Sequence, residues 1–179
     1  VTKHMTKSTP SFRHEEAAFA KGFSRVAGLD EVGRGPLAGP VVAAAVVLDP
    51  NNIPGGLNDS KQVTAKRREA LFEILEEVAD VSVANASVRE IEEHNILRAS
   101  HLAMVRALSG LKTPADFVLI DGNMVPRGMN LANETMVKGD TRSLSIAAAS
   151  IVAKVWRDRL MVSLAQQHPG YGWDTNMGY

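Results

Sequence analysis

Residues 26–48, VAGLDEVGRGPLAGPVVAAAVVL, decide the fold class, because two apolar runs flank a glycine-rich turn. The second run, 40–48, is continuously apolar and rich in β-branched residues, which is typical of a strand buried on both faces. The first run begins at Val26 and leads directly into two acids, Asp30 and Glu31. This stretch therefore predicts two buried strands, with carboxylates placed where the first strand ends.

The remaining segments alternate between helical and strand-like patterns. Thr64 precedes apolar residues at helical spacing, and Ser87 with Glu90 forms a capping box. The predicted helices cover 64–80, a short segment after Ser87, 95–108 and 143–165, and the predicted strands cover 26–30, 40–48, 81–86 and 117–121. Strands interleaved with helices predict an α/β domain with a mixed central β-sheet flanked by helices.

Length and composition limit the class of protein. The chain has 179 residues, which fits one domain, and it contains no cysteine. The lack of cysteine excludes disulfides, thiolate zinc sites and cysteine nucleophiles, and it fits a cytoplasmic location. No run approaches the ~18 uninterrupted apolar residues of a membrane helix. Residues 1–25 show no periodic apolar pattern before Phe19 and are predicted to be a flexible lead-in.

Charge is balanced overall but sorted along the chain. Twenty basic and twenty acidic residues give a net charge of zero, which by itself argues against a nucleic-acid-binding protein. Residues 26–60 nevertheless hold four acids and one base, whereas 136–160 hold five bases and two acids. The counts alone favour charges scattered over a solvated surface. The alternative is an acidic site beside a basic surface. Charge counts do not distinguish these two interpretations, whereas sequence motifs can.

Acids follow the ends of two predicted strands. Asp30, Glu31 and Asp121 end apolar runs, and Asp140 precedes the last long helix. Ligand sites in α/β sheets gather at the carboxyl ends of strands, and converging carboxylates attract divalent cations such as Mg²⁺ or Mn²⁺. Neighbouring strand residues point to opposite faces, so the two acids after the first strand converge only if the chain turns there. Taken singly, Asp121 could be a turn residue, Asp140 a helix cap, and Asp30 a partner of Arg34.

The glycine-rich turn excludes one chemistry and leaves another open. Gly33 begins a segment that fits the G-x-G-x-x-G/A dinucleotide pattern, but a strand follows it where that motif requires a helix. What remains is a loop whose Gly33 and Gly35 permit close approach to a sugar or phosphate, or else a tight hairpin turn with Arg34 exposed. The sequence has no serine-hydrolase, zinc-protease or P-loop motif. His94 and His101 are predicted to be surface or packing residues.

Six ordered blocks of this sequence resemble the ribonuclease HII family, the bacterial type 2 ribonucleases H. The blocks are 28–40 (GLDEVGRGPLAGP), 57–62 (LNDSKQ), 95–100 (NILRAS), 120–123 (IDGN), 137–140 (VKGD) and 147–158 (AAASIVAKVWRD). The resemblance covers about 26–179. Ribonuclease HIII fits less well, because its loop usually lacks the central arginine and it carries an extra N-terminal domain.

The resemblance implies a role for particular positions. The implied ligands of two divalent cations, Mg²⁺ or Mn²⁺, are Asp30, Glu31, Asp121 and Asp140. The implied ribonucleotide-recognition loop is Gly33, Arg34 and Gly35, with Lys61 and Ser150 on the phosphate side and Tyr179 stacked on the sugar after the junction. Tyr171 is the rival for that aromatic role. Asp158 is expected to form an ion pair rather than to bind metal.

The resemblance also implies a fold and an activity. The expected fold is ribonuclease H-like, with a catalytic domain at 26–165, a substrate-binding segment beginning at 166–179, and a C-terminal helical extension that is expected to be truncated. The expected enzyme is a metal-dependent endoribonuclease that hydrolyses the RNA strand of RNA–DNA hybrids. It would also nick 5′ of single ribonucleotides in duplex DNA, leaving 3′-hydroxyl and 5′-phosphate ends.

Two other functions compete with this one. A non-catalytic nucleic-acid-binding module would not need all four acids, and a carboxylate–metal phosphatase would need a compact pocket for a small molecule. The segregated basic zone at 136–160 favours a long polyanion as substrate. A monomer in the cytoplasm without membrane contact is expected, and the sequence leaves a replication-clamp partner open.

Overall fold

One mixed sheet organises the part of the chain described by the computed structural model, residues 9–179. The strands are β1 (Val26–Val32), β2 (Val41–Val47), β3 (Asp80–Ala86), β4 (Phe117–Asp121) and β5 (Ala132–Met136). The helices are α1 (Arg13–Ala20), α2 (Ala65–Val78), α3 (Val88–His94), α4 (Ile96–Ser109), α5 (Leu144–Gln167) and α6 (Trp173–Asn176), with a 3₁₀ turn at Gly139–Thr141. Within these residues, no helix is both long and apolar enough to span a membrane.

The strand order β3-β2-β1-β4-β5 places the predicted acids side by side. The first three strands form an antiparallel meander, whereas β4 and β5 run parallel to β1. Leu29 of β1 pairs with Ile120 of β4, so the next residues along the two strands are Asp30 and Asp121. The mixed sheet flanked by helices confirms the predicted fold class.

Both faces of the sheet are covered, as the apolar run at 40–48 predicts. All seven residues of β2 are buried. Ala43 and Ala45 belong to a cluster with residues of α4, whereas Ala44 and Val46 belong to a second cluster with residues of α2 and α5. The alternation follows from the period of two in a strand. Two helical layers therefore enclose the sheet.

Local capping signals locate the helix starts. The side chains of Thr64 and Asn95 accept hydrogen bonds from the backbone N–H groups of Arg67 and Arg98, and Ser87 with Glu90 forms the complete capping box. These side chains satisfy amide donors that the first turn of a helix leaves without partners. The predicted helix starts at Thr64, Ser87 and Asn95 are confirmed.

Helix α5 lies unusually close to the sheet. A Cβ atom added to Gly28 of β1 would lie only 2.1 Å from the backbone carbon of Ser145. A strand residue with any side chain would push the helix away, so glycine at this position sets the distance between β1 and α5. Because of this contact, the first turn of α5 lies close to the end of the sheet that holds the acids.

The structure differs from the sequence prediction in the lead-in. Residues 13–20 form α1, whereas residues 1–25 were predicted to be flexible; residues 1–8 lie outside the described part of the chain. Glu15 of α1 is buried, and its Oε1 accepts hydrogen bonds from the Ser143 hydroxyl (2.6 Å) and the Ser145 backbone N–H (2.9 Å). The helix is held by these contacts to the start of α5, which its own sequence pattern does not reveal.

Two further elements were also missed. Strand β5 (sequence ANETM) is a partly exposed edge strand without an apolar run, so it lacks the signal used for the other strands. Helix α6 is a single turn between two residues in the left-handed region, Gly172 and Met177. Both elements are short, and short elements carry little periodic information.

Candidate active site

All ten residues singled out from the sequence line one cleft of about 570 Å³ at the carboxyl ends of β1 and β4. They are Asp30, Glu31, Gly33, Arg34, Gly35, Lys61, Asp121, Asp140, Ser150 and Tyr179. Val32, Asp59, Ser60 and Lys154 line the same cleft. The tertiary structure therefore brings together residues that are up to 149 positions apart in the sequence.

Asp30 and Glu31 reach the cleft from opposite faces of the sheet. Strand β1 continues unbroken to Val32, so the chain does not turn between the two acids. By alternation, Asp30 shares the face of Gly28, which packs on α5, and Glu31 shares the face of Leu29, which packs beside α4. Because the cleft lies at the end of the sheet, both faces open into it. The two acids therefore converge without a turn between them, because they lie at the end of the sheet.

The 3₁₀ turn holds Asp121 and Asp140 beside each other. The Gly139 backbone N–H donates to Asp121 Oδ1 at 2.7 Å. A Cβ atom on Gly139 would lie 2.6 Å from Ile146 Cδ1 and 3.3 Å from Asp121 Oδ1, so a larger residue would force the Ile146 side chain to move. The cap of α5 is Ser143, whose side chain accepts from the Ile146 N–H. The alternative role of Asp140 as the cap of that helix is therefore wrong.

Burial raises the pKa of all four acids, and repulsion from neighbouring acids raises it further for Asp30, Glu31 and Asp140. Asp30 is 6% exposed, and burial, followed by Asp121, Glu31 and Asp140, raises its pKa well above the ordinary value. Burial also raises the pKa of Glu31 and of Asp121, against hydrogen bonds and, for Glu31, against Arg34. Burial and Asp121 raise the pKa of Asp140 to about 6. Such convergence disfavours full ionisation unless cations compensate the charge.

The donor chemistry suits a hard divalent cation, although the oxygens do not form a closed cage. Four carboxylates at the mouth of one cleft are the ligands that Mg²⁺ and Mn²⁺ prefer. Within residues 9–179, however, no three His, Cys, Asp or Glu side chains are grouped closely enough to hold a metal ion as they stand. The four acids are electrostatic neighbours, and their assignment as metal ligands stays a prediction.

The glycine-rich loop forms the rim of the cleft next to the acids. Gly33 has a φ of 101°, which favours glycine, and β1 ends just before it. The Arg34 guanidinium lies 3.4 Å from Glu31 Oε1, with about half of its side chain exposed. Arg34 therefore pairs with Glu31, and the alternative that it pairs with Asp30 is wrong. No helix follows the loop, which confirms the rejection of a dinucleotide motif.

Tyr179 extends the same rim. A Cβ atom on Gly35 would lie 3.5 Å from Tyr179 Cε1, and the tyrosine is 69% exposed. Tyr171, the rival aromatic residue, does not line the cleft and instead stacks on Trp173 with ring centroids 4.9 Å apart. Of the two tyrosines, Tyr179 is therefore the one placed beside the glycine-rich loop.

Ser150 joins helix α5 to the loop that carries Lys61. The Ser150 hydroxyl donates to Ser60 Oγ at 2.9 Å and accepts from the Ser60 N–H at 3.4 Å. Lys61 is exposed, and its backbone N–H donates to Asp59 Oδ1 at 2.9 Å. Ser150 is thus occupied in holding the loop, whereas the Lys61 side chain remains available at the cleft.

Two charged cleft residues were missed from the sequence, Asp59 and Lys154. Asp59 contributes to the raised pKa of Asp140, after burial and Asp121. Lys154 Nζ lies 2.8 Å from Asp158 Oδ1, which confirms the predicted ion pair of Asp158 and identifies its partner. The signal was available, because Ser150, Lys154 and Asp158 follow one another at intervals of four on α5 and so share a face.

A family model described as ribonuclease HII matches residues 27–179. A ribonuclease HII of Roseobacter denitrificans is 71% identical over 160 residues, which are 89% of this chain and 81% of the relative. The family model covers every residue that lines the cleft, from Asp30 to Tyr179.

Solved structures give the same fold. The ribonuclease H2 of Pyrococcus horikoshii is 32% identical, with a TM-score of 0.72 over 86% of this chain and 82% of that one. The ribonuclease HII of Archaeoglobus fulgidus, solved in complex with PCNA, is 26% identical, with a TM-score of 0.69 over 87% and 82%. Bst-RNase HIII, solved in complex with Mn²⁺, is 21% identical, with a TM-score of 0.68 over 84% and 57%, and supports the fold alone.

Proposed function

The chain belongs to the ribonuclease HII family and is therefore a ribonuclease H, an endoribonuclease, and from this premise we propose its finer specificity. It cuts the RNA strand of RNA–DNA hybrids and nicks duplex DNA 5′ of single ribonucleotides, leaving 3′-hydroxyl and 5′-phosphate ends. The observation that carries this proposal is the meeting of four acids with the glycine-rich loop and Tyr179 in one cleft.

The acids supply the sites for the cofactor. Asp30, Glu31, Asp121 and Asp140 would hold two divalent cations, Mg²⁺ or Mn²⁺, because their oxygens are hard ligands and their crowded charges need compensation. A pair of such cations activates water as a nucleophile and stabilises the leaving oxygen of a phosphodiester. Arg34, paired with Glu31, partly offsets the burial that raises the pKa of that carboxylate.

The rim of the cleft supplies recognition. The 2′-hydroxyl is the group that distinguishes RNA from DNA, and the backbone around Gly33 and Gly35 is open enough for a ribose to approach. The exposed ring of Tyr179 offers a flat surface for the neighbouring sugar. Lys61 and Lys154 line the same cleft, and their positive charges would suit the phosphates of a bound nucleic acid.

The competing functions fit the cleft less well. A metal-independent ribonuclease uses the 2′-hydroxyl as its nucleophile and needs acid–base groups such as histidine, and none of the described residues lining this cleft is histidine. A small-molecule phosphatase has no use for an exposed tyrosine on the rim. A non-catalytic module would gain nothing from four repelling carboxylates, which destabilise the fold.

The assay uses a labelled DNA duplex with one ribonucleotide, incubated with Mg²⁺, Mn²⁺ or EDTA. We expect a metal-dependent nick on the 5′ side of the ribonucleotide. Treatment of the products with phosphatase and polynucleotide kinase identifies the phosphate as 5′. Absence of a nick with either metal, or cleavage that persists in EDTA, would overturn the proposal.

Substitution of an acid separates catalysis from folding. Asp121→Asn should abolish cleavage, by at least about 10³-fold, while the far-ultraviolet circular dichroism remains that of the parent. Asp116→Asn is the matched control, because Asp116 lies outside the cleft and binds the backbone of Ser24 and Arg25. Near-normal turnover of Asp121→Asn would contradict its assignment as a metal ligand.

Gly35→Ala is the suitable test of the recognition loop. Its new Cβ would make an ordinary contact with Tyr179, whereas Gly33→Ala would bring Cβ to 2.6 Å from Arg157 Nε. Gly35→Ala should therefore fold normally and lose preference for ribose over deoxyribose at the cleavage site. Arg34→Ala should have a similar effect. Unchanged selectivity in both variants would contradict the role of the loop.

Two expectations stay predictions, a monomer and a cytoplasmic location, and the sequence leaves a replication-clamp partner open. Size-exclusion chromatography of the protein with and without the clamp of its own organism tests the oligomeric state and the clamp partner.

A further inference from the structure

Arg157 of helix α5 is a buried cation whose hydrogen bonds all go to backbone carbonyls. It is 1% exposed. Its Nε donates to Pro40 O at 3.2 Å, Nη2 to Ala38 O at 2.9 Å and Nη1 to Met177 O at 2.8 Å. The ion pairs found among residues 9–179 do not include Arg157. A buried charge is unfavourable unless specific partners compensate it, so these three carbonyls define what the side chain does.

The three carbonyls belong to two segments that form the rim of the cleft. Ala38 and Pro40 end the glycine-rich loop, and Met177 lies two residues before Tyr179. The segments also bind each other directly, because the backbone N–H groups of Leu37 and Ala38 donate to Gly178 O at 2.9 and 3.1 Å. Arg157 thus lies beneath a junction of the loop and the C-terminal segment.

Glycines make this junction tight. A Cβ on Gly33 would lie 2.6 Å from Arg157 Nε, and one on Gly39 would lie 2.5 Å from Met161 Sδ, one turn further along α5. A Cβ on Gly178 would lie 2.7 Å from Ala38 O. The loop and the C-terminal segment therefore pack directly against the side chains of α5 and against each other.

We propose that Arg157 is a positioning residue that fixes the separation between the 33–35 loop and Tyr179, and thereby holds the two halves of the ribose-recognition surface in register. The expected effect of Arg157 on cleavage rests on the proposed function, whereas its expected effect on the structure of the junction does not. The guanidinium suits the task because it is planar, always charged and presents five donors in a rigid fork. A lysine ammonium cannot reach three divergent carbonyls in the same way.

The structural arm of the test is hydrogen exchange on the free protein. Arg157→Lys should speed exchange of the Leu37 and Ala38 amides at least about tenfold, equivalent to about 1.4 kcal/mol. The amides of β2 should be unchanged. Arg159→Lys is the matched control, because Arg159 lies on the same helix but pairs with Glu69 and Glu73 on the surface.

Two results of this experiment would overturn the proposal. One is unchanged exchange at Leu37 and Ala38, and the other is faster exchange throughout the sheet, which would indicate loss of general stability. Should Arg157→Lys not fold, Gly178→Ala perturbs the same junction from the C-terminal side and is expected to give the same local acceleration.

The catalytic arm is a double-mutant cycle on cleavage of a duplex with one ribonucleotide. Arg157→Lys should raise KM about tenfold with a smaller change in kcat, and this effect should vanish in a Tyr179→Ala background, because the residue acts through the tyrosine segment. Arg159→Lys should leave both constants unchanged. Additive effects of the Arg157 and Tyr179 substitutions would overturn the coupling. If the parent does not cleave at all, the proposed function fails, and hydrogen exchange still decides the role of Arg157.

Discussion

Replacing Asp140 with asparagine should stabilise the metal-free protein at neutral pH, although Asp140 lies in the candidate active site. Burial, Asp121 and Asp59 raise the pKa of Asp140 from 3.8 to about 6. At 1.36 kcal/mol per pKa unit, this difference corresponds to about 3 kcal/mol against the ionised carboxylate in the folded protein. Asp140 is partly exposed, so solvent screening lowers the expected effect to about 1.5 kcal/mol.

The sign of the pH dependence follows from linkage. The pKa of Asp140 is higher in the folded than in the unfolded protein, so the folded protein binds the proton more tightly. Below about pH 4 both states carry the proton, and the residue costs nothing. As the pH rises from about 4 to about 6, the free energy of unfolding falls, and above that range it stays lowered. Asparagine does not ionise, which removes this part of the slope.

Urea unfolding in EDTA, followed by circular dichroism from about pH 4 to about pH 7.5, measures this difference. Asp140→Asn should exceed the parent by about 1.5 kcal/mol near pH 7, or about 3–6 °C in Tm, and match it near pH 4. The same variant should lose cleavage activity. A gain in stability with a loss of activity is expected of a residue retained for chemistry rather than for folding.

Asp116→Asn is the control with the opposite sign. Burial of Asp116 opposes ionisation, but hydrogen bonds from the N–H groups of Ser24 and Arg25 prevail and lower its pKa. The ionised carboxylate of Asp116 therefore stabilises the folded protein at pH values above the pKa of an aspartate in the unfolded chain. The asparagine variant should be less stable than the parent near pH 7. Lower stability of Asp140→Asn than of the parent near pH 7, or an equal advantage at both ends of the pH range, would contradict the raised pKa of Asp140.

Three further substitutions test the framework around the cleft. Gly28→Ala should lower the free energy of unfolding by about 3 kcal/mol or more in urea titrations, because its Cβ would meet the backbone of Ser145 at 2.1 Å. Glu15→Ala leaves the buried donors of Ser143 and Ser145 without their acceptor and should cost about 1–3 kcal/mol, measured as a lower Tm. Lys154→Gln should weaken substrate binding and reduce the slope of log affinity against log salt by about 1, which a filter-binding titration at several salt concentrations would show.

Much of the fold follows from local patterns. The run at 40–48 predicts β2 because a strand enclosed on both faces needs apolar residues at every position, and all of its residues are buried. Thr64, Ser87 and Asn95 mark helix starts because a cap satisfies donors within three residues of itself. Helix α1 was not predicted because it is held by contacts to the distant start of α5. Strand β5 was not predicted because it is stabilised by pairing with β4 rather than by an apolar pattern of its own.

Most of the cleft also followed from the sequence, but by resemblance rather than by spacing. The motifs identify Asp30, Glu31, Asp121 and Asp140 as candidates, yet spacing alone leaves each of them an ordinary local role. The spacing of four residues from Ser150 places Lys154 on the same helix face, whereas nothing local distinguishes Asp59, which lines the cleft, from an acid that faces solvent. Their orientation depends on where α5 and the 57–62 segment meet.

By itself, the sequence determined strands β1 to β4, helices α2 to α5, and which acids stand at strand ends. Only the tertiary structure decided that Asp30 and Glu31 meet at the end of the sheet without a turn. It also decided that Arg157 joins the segment of Tyr179 to the glycine-rich loop, whose Pro40 and Ala38 lie 117 and 119 residues before Arg157 in the sequence. The physical reason is range. Periodicity and capping are set by neighbours within one or two turns, whereas the placement of a buried charge depends on which distant carbonyls the fold brings to it.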